Sequence, residues 1–124
     1  MLPPASRLTS GESFRRCVRR GSRSSCRTLV VHLDRTDDGD GLPARAGFVV
    51  SRAVGGAVLR NLVRRRLRHL VRERLDELPA SSVLVVRANP AAAAATYDEL
   101  RRDLGRCLER IRPVTPAVVG GEPS

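Results

Sequence analysis

Between Leu59 and Arg72 two patterns run through the same residues, and together they limit what this chain can fold into. Leu59, Val63, Leu67, Leu70 and Val71 recur at the spacing of an amphipathic helix. At about 100° per residue, Asn61, Arg64, Arg65, Arg68 and Arg72 gather on the other side. The pattern predicts a helix from Gly56 or Ala57 to about Leu78, closed by Pro79, with an apolar seam turned into a core and a guanidinium row held outside. Like charges three and four residues apart repel by a few tenths of a kcal/mol per pair, and only Glu73 stands nearby to relieve them. A polyanion laid along the row would relieve the rest. Arginine suits phosphate, because its planar fork donates two parallel hydrogen bonds. Asn61, uncharged among arginines, can reach a base edge or a ribose hydroxyl. The plain alternative is a solvated helix face. A calmodulin target or a membrane-surface helix is also basic and amphipathic, but this helix lies between two predicted strands and its apolar side is needed for the core.

The rest of the chain leans the same way. Over 124 residues the formal net charge is +10, and all 23 basic residues are arginine. A domain this basic attracts nucleic acid before other partners, with an anionic membrane surface the weaker alternative. Hydrophobic residues make up 41%, enough for a single core, while aromatics at 2% leave that core to Leu, Val and Ala. No stretch approaches the roughly 20 apolar residues of a spanning helix, and residues 1–10 hold no apolar run of a secretory signal. Cys17, Cys26 and Cys107 are scattered, with no Cys-x-x-Cys pair, and His32 and His69 stand outside metal-ligand spacing. They read as buried or bystander thiols in a reducing cytoplasm.

The remaining elements complete a small α+β domain in the order helix, strand, strand, helix, strand, helix. Phe14, Cys17 and Val18 define a short helix from Ser10 or Gly11 to Arg20, with Ser10 as its cap and Gly21 at its end. Arg27 to Leu33 and Ala46 to Ser51 read as strands, separated by the polar, Gly-containing loop Asp34 to Pro43. Val83 to Val86 reads as a buried strand. After Asn89 and Pro90, the run Ala91 to Ala95 leads into a last helix, about Thr96 to Arg110, with Thr96 and Glu99 as a capping box. Residues 112–124, rich in Pro and Gly, read as a flexible tail behind a domain at 1–111.

The stretch Arg45-Ala46-Gly47-Phe48-Val49-Val50-Ser51-Arg52-Ala53-Val54-Gly55-Gly56-Ala57-Val58-Leu59-Arg60-Asn61, continuing through Arg64-Arg65-Arg66-Leu67-Arg68, resembles the signature of the bacterial ribonuclease P protein family. There a glycine-led strand ends in Ser-Lys and is followed by Val-Gly-x-Ala-Val-x-Arg-Asn-Arg and a basic helix. Leu2-Pro3, Arg7-Leu8, Phe14 before Cys17-Val18, and Gly21 after a basic pair agree as well, so the resemblance covers about residues 1–111. It implies a fold like domain 2 of ribosomal protein S5, with a central sheet of three to four strands and a left-handed crossover between parallel strands. It also implies a division of labour. A catalytic RNA with bound Mg²⁺ cuts the 5′ leader from precursor tRNA, and the protein, with no catalytic residue, no small-molecule cofactor and no membrane, assists in the cytoplasm. Arg52, Arg60, Asn61, Arg64, Arg65 and Arg68 then fall on positions that contact the catalytic RNA. Phe14, Val18, His32 and Ser51 fall on positions that hold the single-stranded leader. The alternative is a ribosomal-protein-like structural RNA binder. A helix-based DNA-binding repressor lacks its helix-turn-helix.

The departures from the family pattern are specific. Leu62 stands where the motif has its second arginine, Val18 replaces a cleft aromatic, and His32 replaces a strand aromatic. Phe14 fits a stacking platform and a core position equally. Asp34, Asp37, Asp38 and Asp40 fail the EF-hand template, with Thr36 at its third position and Arg45 at its twelfth. They read as a solvated hairpin loop.

Overall fold

The computed structural model describes residues 11–35, 44–78 and 81–111. The expected N-terminal cap Ser10, most of the acidic loop and the tail 112–124 lie outside them. Helix α1 (Gly11–Arg20) leads through Gly21 into strand β1 (Ser22–Ser25), which turns back as β2 (Leu29–Arg35). Strand β3 (Arg45–Val49), helix α2 (Ala57–Arg74) and strand β4 (Ser82–Ala88) follow. A turn of 3₁₀ helix at Leu75–Glu77 ends α2, another at Pro90–Ala93 follows β4, and α3 (Tyr97–Ile111) closes the described chain.

The four strands form one mixed sheet in the order β1-β2-β4-β3. β2 runs antiparallel to β1 and β4, while β3 and β4 are parallel and joined through α2. Strand alternation sorts the side chains onto two faces. Leu29, Val31 and Leu33 of β2, Ala46 of β3, and Leu84 and Val86 of β4 meet Val63, Leu67, Leu70 and Val71 of α2 and Leu100, Leu104 and Leu108 of α3. On the opposite face Val83 and Val85 pack on Cys17 of α1, flanked by Phe14 and Val49. One core therefore holds α2 and α3 side by side, and α1 covers the reverse of the sheet.

β1 is a strand beyond those expected, because Ser-Arg-Ser-Ser carries no apolar period. It forms through its backbone ladder, Ser22 to Ser25 pairing with Leu33 to Val30. β2 starts at Leu29 rather than Arg27, because Cys26 to Leu29 is the hairpin turn, closed by the Cys26 N–H donating to the Leu29 carbonyl at 2.8 Å. Asn89, just past β4, holds that turn, its side-chain amide donating to the Cys26 and Arg27 carbonyls at 3.2 and 3.3 Å. The capping box at α3 forms as expected. Glu99 Oε1 accepts the Thr96 N–H at 2.8 Å, and Thr96 Oγ1 accepts the Glu99 N–H at 3.1 Å.

Gly21 does end α1, for a steric reason. A Cβ there would stand 2.6 Å from the Cys17 carbonyl oxygen and 2.7 Å from that of Leu33, both backbone atoms that cannot yield. Gly55 meets a conformational demand instead: its φ of +155° is glycine territory, and it lets the chain turn from β3 into α2.

Candidate nucleic-acid interface

The seam of α2 is buried as its spacing requires, with Val63, Leu67, Leu70 and Val71 at 1% exposure or less. Asn61, Arg65, Arg68 and Arg72 are consequently exposed, and Arg64 is half-buried at the edge of the same row. Arg64 Nη1 donates to Asn61 Oδ1 at 3.0 Å, which orients both side chains along the helix. Among the described residues no carboxylate pairs with Arg64, Arg65, Arg68 or Arg72. Glu73, the one acid of α2, faces His69 at 3.6 Å. Asn61, Arg64, Arg65, Arg68 and His69 line an open depression of about 420 Å³. Its charge is uncompensated.

Arg60 is placed differently. It lies half-buried at the start of α2, and its Nε is shielded from solvent without a hydrogen-bond partner among the described residues. Ser51 and Arg52 are exposed in the turn between β3 and α2, where Ser51 Oγ accepts the Ala53 N–H at 3.3 Å. Leu62 is half-buried. His69 is exposed, its ring centroid 6.0 Å from that of Tyr97 on α3.

Phe14, Val18 and His32 lie across the sheet from this row. Phe14 is half-buried against Cys17, Val83 and Val85, so it is partly a core residue and partly exposed among the described residues. Val18 is 39% exposed. His32 is 6% exposed, and its Nδ1 is buried without a hydrogen-bond partner among the described residues. Burial lowers its pKa, and the charges of Arg23 and Arg87 lower it further. Both effects favour the neutral imidazole, and the ring offers little surface.

Around it stand cations that no sequence motif marks. Arg23 is opposite His32 in the β1–β2 ladder, and Arg87 pairs with Val30 and Val49. Strand alternation puts all three arginines, Arg23, Arg87 and Arg45, on the α1 face. That alternation was the available signal, masked because Val83 to Val86 reads as an unbroken apolar run. Asp34, expected in the acidic loop, instead lies within β2 opposite Val83, and it contacts Arg16 Nε of α1 at 3.4 Å. Neither atom makes an aligned hydrogen bond, so the contact is one of charge alone. No group of three His, Cys, Asp or Glu side chains assembles among the described residues, and none of their helices is long and apolar enough to cross a membrane.

A mixed four-stranded sheet carrying α1 on one face and an arginine-lined α2 on the other defines a small α+β protein with two separate cationic surfaces. The family model described as Ribonuclease P matches residues 2–112, and the chain belongs to the ribonuclease P protein family. It is 59% identical over 111 residues to the ribonuclease P protein component of a Nocardioides species, covering 90% of this chain and 95% of that one. The Streptomyces bikiniensis protein component is 52% identical over 117 residues, with the same shares covered. Among solved structures, a mutant RNase P protein from Staphylococcus aureus superposes with a TM-score of 0.76 at 26% identity, covering 86% of this chain and 87% of that one. The Thermotoga maritima RNase P protein gives 0.71 at 25% identity, with 85% and 96% covered.

Proposed function

We propose that this chain is the protein subunit of ribonuclease P and works by placing RNA rather than by cutting it. The row Asn61, Arg64, Arg65 and Arg68, with Arg52 and Arg60 at its start, docks on the catalytic RNA. On the other side of the sheet, Phe14, Val18 and His32, with Ser51 at the edge, hold the single-stranded 5′ leader of precursor tRNA in the cytoplasm. Hydrolysis and the Mg²⁺ it needs belong to the RNA. The protein lowers the Mg²⁺ requirement by screening phosphate repulsion and fixing the substrate, which is positioning and electrostatics rather than acid–base chemistry.

The observation that carries this reading is the set of guanidinium groups on α2 that meet no carboxylate among the described residues. With Val18 and a buried His32 in place of aromatics, the leader grip rests on charge, including Arg23 and Arg87, more than on stacking. Leader affinity is therefore expected to fall steeply with salt.

The test is addition of the purified protein to catalytic RNA and precursor tRNA at low Mg²⁺. Restored 5′ cleavage by the wild type, with at least about tenfold weaker RNA binding by Arg64→Gln/Arg65→Gln/Arg68→Gln, supports the assignment. Binding without any effect on cleavage would favour a structural RNA binder of the ribosomal kind. A flat salt response would remove the electrostatic basis altogether.

A further inference from the structure

Helix α3 carries a second arginine row that neither the family signature nor the docking face of α2 includes. Arg102, Arg106 and Arg110 follow one another at i, i+4 and i+8, about 6 Å apart along the axis. With Arg27 from the β1–β2 turn they line an open depression of about 500 Å³. Two carboxylates, Glu99 and Asp103, lie in the same depression, and both are already engaged. Glu99 accepts the Thr96 amide on one oxygen and meets Arg27 at 3.4 Å with the other. Asp103 Oδ2 accepts from Thr28 Oγ1 at 2.6 Å and from the Thr28 amide at 3.3 Å. Arg110 is steadied by donating one N–H to the Ser25 carbonyl at 3.0 Å. Arg102 and Arg106 are exposed and form no ion pair among the described residues; Glu99, its pKa held low first by the Thr96 amide, feels the Arg102 charge only as a last contribution.

These cations are not isolated from α2. The Arg74 guanidinium, at the end of α2, lies over Gly105 of α3, with Nη2 only 2.9 Å from where a Cβ would stand. Arg74, Arg101, Arg102 and Arg106 border a further polar hollow together with Asp98 and Glu109, where Arg74 pairs with Glu77 at 3.4 Å and Arg101 with Asp98 at 3.1 Å. α2 and α3 share one layer on one face of the sheet, so the unpaired Arg102 and Arg106 belong to the same layer as the α2 row.

We propose that the α3 depression is a second RNA-phosphate site, in which Arg102 and Arg106 bind backbone phosphates of the catalytic RNA at a segment distinct from the one along α2. The step along the row is of the order of the distance between successive phosphates of an extended strand, and the guanidinium fork suits each one. Repulsion within the row falls when the phosphates arrive. This inference rests on the reading of the protein as a ribonuclease P subunit.

The test uses the full chain and catalytic RNA alone, with binding measured across a series of monovalent salt concentrations. Arg102→Gln/Arg106→Gln is compared with Arg64→Gln/Arg68→Gln, and far-ultraviolet circular dichroism confirms that each remains folded. The α3 double variant is expected to lose about tenfold in affinity and to shallow the log K against log salt slope by about one to two. Backbone footprinting should lose protection at nucleotides other than those lost with the α2 variant. An unchanged slope for the α3 variant, with a reduced one for the α2 variant, overturns this inference and leaves the subunit assignment standing. Loss of protection at the same nucleotides also overturns it, because the site would not be separate. If neither variant changes the slope, the assignment itself falls.

Discussion

Asp103 of α3 reaches across to the β1–β2 turn and takes both polar hydrogens of Thr28, its Oδ2 standing 2.6 Å from Thr28 Oγ1 and 3.3 Å from the Thr28 amide nitrogen. Thr28 is fully buried and Asp103 is 9% exposed, so water cannot readily replace either bond. Asp103→Ala would leave a buried N–H and hydroxyl without their acceptor, at a cost of about 2–3 kcal/mol. Asp103→Asn keeps an acceptor oxygen and should cost about 1 kcal/mol. Urea denaturation at constant m-value reads both. A shift under about 0.5 kcal/mol for the alanine variant would mean that the turn is held by Asn89 alone.

His32 gives the fold a pH dependence whose sign can be worked out. Its pKa is lowered from 6.5 by burial first, then by Arg23 and Arg87. The unfolded chain therefore takes up this proton near pH 6.5, and the folded chain only at lower pH. Between those values the unfolded state binds more protons, so the stabilisation is fully present above the unfolded value and is lost as pH falls through the folded one. The wild-type urea midpoint should drop between about pH 7.5 and pH 5.5, and His32→Gln should flatten that drop. Equal pH slopes in the two proteins would show that another group is responsible.

The sequence carried the helices and the arginine row of α2 because each is written in a period that burial enforces. Val63, Leu67 and Leu70 cannot be buried without turning Arg65, Arg68 and Arg72 outward. Thr96 and Glu99 are a local signal and were equally legible. β1 was not, because Ser22 to Ser25 are held by the β2 backbone rather than by side chains of their own. The leader-side expectation met a different obstacle. Position 32 is recognisable in the family pattern, but whether its side chain is offered or buried depends on α1 packing over β2 and β4, which no local spacing encodes. The contact between Cys26 and Cys107, 81 residues apart, is of the same long-range kind. The thiols read as scattered because only the packing of α3 on the hairpin brings two of them together.

That packing makes the three thiols unequal. Cys107 Sγ lies 3.2 Å from Cys26 Sγ, and burial together with this contact pushes the Cys107 thiol up to about 12. Cys17 is likewise pushed up to about 12 by burial and by the Asp34 carboxylate, its thiol donating to the His32 and Val83 carbonyls. Only thiolate reacts with an alkylating agent, so at about pH 8 both should be nearly inert. Cys26 is half-buried beside Arg110. Iodoacetamide on the native protein should label Cys26 first and the others slowly, with all three labelled in urea. Peptide mapping would contradict the packing if Cys17 or Cys107 kept pace with Cys26 before unfolding.

Leu62 offers the most direct control over the RNA-facing row. Standing where the family pattern has arginine, it is half-buried on α2, three residues before Arg65 and seven before the exposed His69. Replacing it surrenders only part of a leucine's burial, about 1 kcal/mol or less. It adds a sixth cation to a surface already bearing Arg60, Arg64, Arg65, Arg68 and Arg72. Leu62→Arg should therefore bind catalytic RNA several-fold more tightly at low salt and steepen the salt slope by about one. Leu62→Ala should lose comparable burial and leave the slope alone. The comparison separates charge from packing. A slope that does not move in the arginine variant would place position 62 outside the RNA contact and confine the row to the side of α2 that bears Arg64 and Arg68.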